Sequence, residues 1–265
     1  MRQRATRGQI LVSIGLVIAV LLAGFWWWPH IVWSFQVARH GVKIPSVPVG
    51  QMPVPGKTAD WSNCRLGPMS LKLPAQIADE AERTAEKNQV VLTAGEQQIA
   101  INVPFRVPPK GPNDLSSVAA QLNLTPMRLL EESYRASTDK FRWTMSRAEL
   151  RRHQLLINLA AMFPHGGGRG ASEVETRFDK DIEGLLIVYD DQHASFEFRT
   201  ASDAGAGYVM FIRKSGNLDL DFVRDVCQSI SCDEARLVPE YGKKELQQML
   251  DAMETGPQNE MTNDE

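Results

Sequence analysis

The run His165-Gly166-Gly167-Gly168-Arg169-Gly170 is the part of this 265-residue chain that looks most like a catalytic loop. Glycines behind a histidine let backbone N–H groups face a developing oxyanion, as in lipase-like hydrolases. That chemistry also needs a serine on a strained G-x-S-x-G turn, and the chain has none. Ser172 follows Gly170, but Val174 stands where the second glycine belongs. No G-K-[ST] closes the glycine run either, so it is not a phosphate loop. His193 is the one histidine to pair with His165 as a general acid or base. His30 and His40 are expected at the edge of an apolar N-terminal segment, and His153 on a solvated helix face. No two histidines have the i, i+4 spacing of a helical zinc site.

Asp179, Asp181 and Glu183 alternate, so in an extended segment they share one side and could offer oxygen ligands to a hard cation. The glycine and distal glutamate of a calcium loop are missing, and a solvated polar face explains the same spacing. Cys227 falls on the apolar face of a helix that begins near Asp219, and Cys232 lies just past its end. A Cys227–Cys232 disulfide is feasible in an oxidising compartment; Cys64 with either is the alternative, and a buried free thiol is the third reading. No C-x-x-C redox motif occurs, and nothing in the sequence calls for a cofactor.

The elements that must position these residues begin with a hydrophobic one. Residues 9–28, QILVSIGLVIAVLLAGFWWW, carry no formal charge and are long enough to cross a hydrocarbon core of about 30 Å. Arg2, Arg4 and Arg7 precede them, and Trp26, Trp27, Trp28 and Trp33 gather at the far end as membrane-interface anchors. This predicts a retained signal anchor with a cytoplasmic amino terminus. A cleaved signal peptide is the competing reading, but no A-x-A-like site precedes a polar start. Pro45, Pro48, Pro53 and Pro55 then suggest an extended stalk. The expected organisation is a basic cytoplasmic tail at 1–8, an anchor at 9–33, a stalk at 34–60, a domain at 61–254 and a disordered polar tail at 255–265.

Within the domain, QVVLT and QQIAINV flank an Ala-Gly-Glu turn and read as paired strands. Residues 183–200 predict a hairpin about Asp190 to Gln192, with Glu197 alternating toward solvent from Phe196 and Phe198, and GYVMFIRK adds a third strand. Helices are expected at 115–122 and 126–136, the first capped by Asp114 and the second opened by Thr125-Pro126. Ser146 and Glu149 have capping-box spacing, with Met145 and Leu150 at the staple positions. That helix should run to about Phe163 with Leu155, Leu156, Leu159 and Phe163 facing the core, and the glycine run then ends it. Leu246, Met249, Leu250 and Met253 make the apolar stripe of a closing helix. The fold class is α+β: one N-terminal transmembrane helix, then a domain with a mainly antiparallel sheet packed by helices.

The order of MSLKLPAQI, a central helix, three late strands and the helix LDLDFVRDVCQSI resembles the PsbP-like family of α/β/α sandwiches over about half the domain. The resemblance implies docking onto membrane or protein assemblies without turnover. The helical insertion at 114–136 departs from that plan. The sequence therefore points to a membrane-anchored, extracytoplasmic binding or assembly protein, its partners the lipid bilayer and a membrane or extracytoplasmic protein. A hydrolase-like enzyme with a pocket near residues 165–170 is the alternative. A third reading takes SVAAQLNLTPMRLLEESYR as a helix-turn-helix, supported by seven Lys or Arg against four Asp or Glu between Arg128 and Arg152. Nucleic-acid binding requires that segment to be cytoplasmic, which conflicts with the charge-derived orientation.

Overall fold

The computed structural model describes residues 7–40, 44–54, 56, 58, 60–86, 88–108, 114–162 and 170–254. In chain order the elements are α1 (Arg7–His40), β1 (Val49–Gln51), β2 (Ser62–Leu66), β3 (Met69–Leu73), α2 (Ala75–Glu80), β4 (Glu82–Glu86), β5 (Gln89–Ala94), β6 (Gln97–Arg106), α3 (Leu115–Gln121) and α4 (Pro126–Arg135). They continue with α5 (Arg147–Met162), β7 (Glu173–Phe178), β8 (Ile182–Asp190), β9 (His193–Thr200), β10 (Gly205–Arg213), α6 (Leu220–Ser229), β11 (Ser231–Cys232) and α7 (Lys243–Glu254). The chain divides into two units, residues 1–46 with 136–162 and residues 47–135 with 163–265. The domain expected at 61–254 thus gives up its central helix α5 to the unit that contains α1.

The larger unit is built on an eight-stranded sheet in the order β1-β7-β8-β9-β10-β6-β5-β4. Every neighbouring pair is antiparallel except β1 with β7. The fold is α+β, as the alternating patterns predict. The hairpins form where expected: Gly95 takes φ +58° between β5 and β6, a left-handed turn position that suits glycine, and Asp190 pairs with His193 across the β8–β9 turn. A stalk does not form throughout 34–60. α1 continues to His40, β1 adds to the sheet edge with Val49 opposite Val174, and Met52 is buried in the core.

Both faces of this sheet are covered. On one face Leu92, Ile101, Leu186, Phe196, Phe198 and Phe211 pack with Val223 and Val226 of α6, Leu246 and Leu250 of α7, and the small sheet β11-β3-β2. The closing helix thus docks on its own unit, as its stripe predicts. Asp219 caps α6 by accepting from the backbone N–H groups of Asp221 and Phe222. β7 fixes the helix from below: the nearly buried Glu175 carboxylate accepts three bonds of 2.6–3.0 Å from the Arg224 guanidinium. Arg177 donates to the Ile230 and Cys227 carbonyls at the helix's C-terminal end, where carbonyls lack partners within the helix.

On the other face α3 and α4 form an αα-hairpin. Asp114 accepts from Ser117 N at 2.6 Å, and Met127, Leu130 and Tyr134 of α4 pack on Val174, Leu185 and Ile187. The helix-turn-helix pattern is spent on this packing. Arg128 lies over the Phe178 ring and pairs with Glu131, which also holds Arg135. This second layer corrects the expectation for Glu197: it lies on the covered face and is half-buried instead of solvated.

In the smaller unit the capping box forms as predicted. Glu149 accepts from Ser146 N at 2.7 Å, and Ser146 Oγ accepts from Glu149 N at 3.2 Å. The buried face of α5 is Leu150, His153, Leu156 and Ile157, while Leu155 and Leu159 are only half-buried and Phe163 lies outside the described residues. His153 is therefore a core residue of its unit. Its ring stands edge-on to Trp33, with centroids 6.2 Å apart and an interplanar angle of 83°.

Candidate functional site

His193 opens β9 directly after the β8–β9 turn. Its Nδ1 lies 2.7 Å from Asp190 Oδ1, which also accepts from Gln192 N at 2.9 Å. The pair borders a shallow polar depression lined by Asp190, Asp191, Gln192, Gly216 and Asn217. His165 and its glycines lie outside the described residues, so the structure does not bring the two histidines together.

The three alternating carboxylates do not share a face of one strand. Asp179 and Asp181 occupy the β7–β8 turn, and Glu183 is already in β8. Asp179 Oδ1 accepts from the N–H groups of Asp181 and Ile182, and Oδ2 accepts from Arg177. Burial pushes this carboxyl up, but those bonds and the guanidinium outweigh it and hold the group below its usual range. Its oxygens stabilise a turn. Among the described residues no three His, Cys, Asp or Glu are grouped to hold a metal ion.

The cysteines are all free thiols, so of the readings left open it is the free thiol that the structure holds, and the candidate Cys227–Cys232 bridge is not formed. Cys227 points into the core from α6, whereas Cys232 is carried onto β3 by the pairing of β11, opposite Met69. Cys64 sits on β2, across β3 from β11. Two strand spacings, about 10 Å, exceed the roughly 7 Å that a disulfide spans, so the Cys64–Cys232 alternative fails on geometry. Burial raises all three thiols, Cys232 to about 11, which suppresses the reactive thiolate.

A polar cluster that the sequence did not single out lies on the α4-covered face. The Tyr189 hydroxyl and Ser195 Oγ are 2.9 Å apart, and β9 places Glu197 two residues further on, opposite Leu185. Burial raises the Glu197 carboxyl, and burial together with the Glu197 charge raises Tyr134. Desolvation thus favours the neutral acid here. A second depression, lined by Asn88, Asn102, Val103, Phe105, Pro239, Glu240 and Tyr241, has mostly apolar and amide walls. Asn102 Nδ2 donates to the Asn88 carbonyl, while its buried Oδ1 has no partner.

The most elaborated arrangement of aromatic and cationic groups is in the smaller unit. α1 is apolar enough over Leu16–Ser34 to cross a membrane. Leu16, Leu21, Leu22, Phe25, Trp26 and Trp28 are each at least 58% exposed. The helix changes character at its second half. Trp33, expected as an interface anchor, is 6% exposed, and His30 is 1% exposed with Nε2 2.9 Å from the Met145 carbonyl. Trp143 approaches both Trp27 and His30, at centroid distances of 6.1 and 6.3 Å, and Phe141 stands edge-on to Trp143.

Pro29 explains the most specific contact. A proline inside a helix has no N–H for the carbonyl four residues earlier, here that of Phe25. Arg147 supplies the missing donor, its Nη2 lying 2.7 Å from the Phe25 oxygen. The same guanidinium lies 4.7 Å from the Phe25 ring and 5.1 Å from the Trp26 ring, within cation–π range. No single residue in this contact carries a motif; the signal was Pro29 in an apolar helix together with an arginine just inside the capped start of α5. No protein-family model matches the chain, and no curated protein matches it in sequence.

Proposed function

We propose that this chain is a single-pass membrane protein whose α+β unit is displayed outside the cytoplasm as a binding or assembly module without turnover. The observation that carries this reading is α1. Its described side chains between Leu16 and Trp28 present an exposed apolar surface, and the uncharged stretch from Gln9 to Trp28 is about 30 Å long as a helix at 1.5 Å per residue. The membrane segment then ends at Trp28, before His30 and Trp33 enter protein contacts. Arg2, Arg4 and Arg7 favour a cytoplasmic amino terminus. The apolar and amide walls of the Asn102 depression, with Glu240 exposed at its edge, suit binding better than acid–base chemistry. A PsbP-like plan, proposed from element order, accords with docking onto an assembly.

The test is protease added outside sealed cells or spheroplasts. It should remove residues beyond the anchor while leaving an epitope at the amino terminus protected. Protection of the whole chain, with the protease shown to be active, reverses the orientation.

A further inference from the structure

Contacts along α1 and α5 fix how α5 runs. Arg147 meets Phe25 and Trp26, whereas His153 meets Trp33. Six residues along α5 correspond to about seven along α1, so the two helices run in the same direction, with the start of α5 level with the exposed tryptophans. The loop before α5 is held at that level too, because Trp143, 48% exposed, lies against Trp27.

This places three arginines around one end of the apolar stretch. Arg142 adjoins Trp143, Arg147 sits at Phe25 and Trp26, and Arg151 is one helical turn beyond Arg147, about 6 Å along α5. Arg142 and Arg151 are exposed. Arg147 spends its contacts on a backbone carbonyl and two rings, none of which cancels its charge. None of the three has a carboxylate partner among the described residues. A bilayer adds roughly 5–8 Å of headgroup region on each side of its hydrocarbon core, a thickness comparable to the roughly 6 Å of α5 between Arg147 and Arg151. Tryptophans at this level favour the same zone, and arginine forks match phosphate oxygens.

We propose that Arg142, Arg147 and Arg151, with Trp143 and Trp26 to Trp28, form a collar that binds the phosphate groups of anionic phospholipids in the leaflet where the apolar part of α1 ends. The proposal rests on the membrane reading above. The collar sets the depth of α1 and anchors residues 141–151 to the lipid surface.

The test uses the full-length chain in phosphatidylcholine vesicles with and without phosphatidylglycerol. Alkaline carbonate extraction first establishes whether α1 is integral; native mass spectrometry of the protein released in detergent then counts retained lipid of each type. The wild type should retain phosphatidylglycerol preferentially. Arg142→Gln with Arg151→Gln should lower that retention roughly 25-fold, at about fivefold per charge near an anionic surface, and the double lysine variant should recover most of it. Both substitutions are at exposed positions, and circular dichroism checks that the fold is kept. An integral protein with no preference for phosphatidylglycerol, or a double glutamine variant that equals wild type, overturns the collar and leaves the anchor standing. Loss of the chain to carbonate overturns both. If inorganic phosphate alone protects residues 141–151 from hydrogen exchange as well as phosphatidylglycerol does, the site takes a free anion and the lipid assignment fails.

Discussion

Arg147 satisfies the Phe25 carbonyl only because Pro29 cannot, so the two residues should be energetically coupled. Removing the guanidinium with Arg147→Ala leaves that carbonyl without a protein donor. A hydrogen bond to a charged group contributes about 1.5–3 kcal/mol; the Phe25 carbonyl points along the helix toward the Trp28 end of the apolar stretch, where interfacial water recovers part of it, and about 1–2 kcal/mol is the expected loss. The two ring contacts add about 0.5–1 kcal/mol at an exposed site. In a Pro29→Ala background residue 29 regains its N–H and can bond the Phe25 carbonyl within the helix. Arg147→Ala should then lose the ring contribution alone.

The assay is hydrogen exchange of the full-length protein, read on peptides covering residues 25–34 and 144–155. With every 1.4 kcal/mol worth tenfold, Arg147→Ala should speed exchange by about 10- to 100-fold in the native background. In the Pro29→Ala background the same change should give only about 2- to 5-fold. The coupling between the two positions is therefore about 1–2 kcal/mol. An Arg147→Ala effect of equal size in both backgrounds would refute the argument, because it would mean that the guanidinium acts through its rings or its charge and not through the carbonyl.

Two further substitutions test buried ionisable groups. The raised Glu197 carboxyl binds protons more readily folded than unfolded, so its contribution falls as pH rises from about 4.5 toward the folded value; Glu197→Gln should flatten that slope and equal or raise the melting temperature near neutral pH, and a lower one would show that the carboxylate makes a needed contact. His153 has the opposite charge type: burial, aided by Lys140, lowers its folded value, so the unfolded state takes up more protons as pH falls through about 6.5. Thermal unfolding followed by tryptophan fluorescence should show stability lost on that descent, less so in His153→Phe, and an identical pH profile for the variant would place the proton uptake elsewhere.

Legibility in this sequence followed the range of the interaction. The capping box at Ser146 and Glu149, the Asp114 and Asp219 caps and the β5–β6 and β8–β9 hairpins are closed within a few residues, and each was readable from spacing. His153 was readable too, since it follows Leu150 by three residues and precedes Ile157 by four, placing it on their face; giving the core to Leu155 and Leu159 shifted the face by part of a turn. The rest depended on distant partners. Val49–Gln51 has no strand pattern of its own and is a strand because β7, more than 120 residues later, offers an edge. β4, with sequence ERTAE, has the charged character that guards sheet edges, and only its pairing with β5 makes it a strand. Alternation correctly put Glu197 opposite Phe196 and Phe198, but whether that face meets water or α4 is decided by the αα-hairpin, which local periodicity cannot see.

The fate of the chemically suggestive residues carries the remaining argument. Several of those that are described are taken up by the structure around them: Asp179 by its turn, Asp190 and His193 by the β8–β9 connection, Arg177 by the end of α6, Cys227 by the core. A side chain whose donors or acceptors hold a turn in place cannot leave them for a substrate without loosening that turn. Exposed cations without a carboxylate partner among the described residues include Arg142 and Arg151 on either side of Trp143, residues that no catalytic motif includes. They stand beside an apolar helix whose own carbonyl is completed by Arg147, so the same segment that repairs the Pro29 defect presents a cationic and aromatic rim at the end of the apolar surface. Adsorption to a charged boundary needs only charge and ring faces at one depth, and that is what the α1–α5 pairing provides.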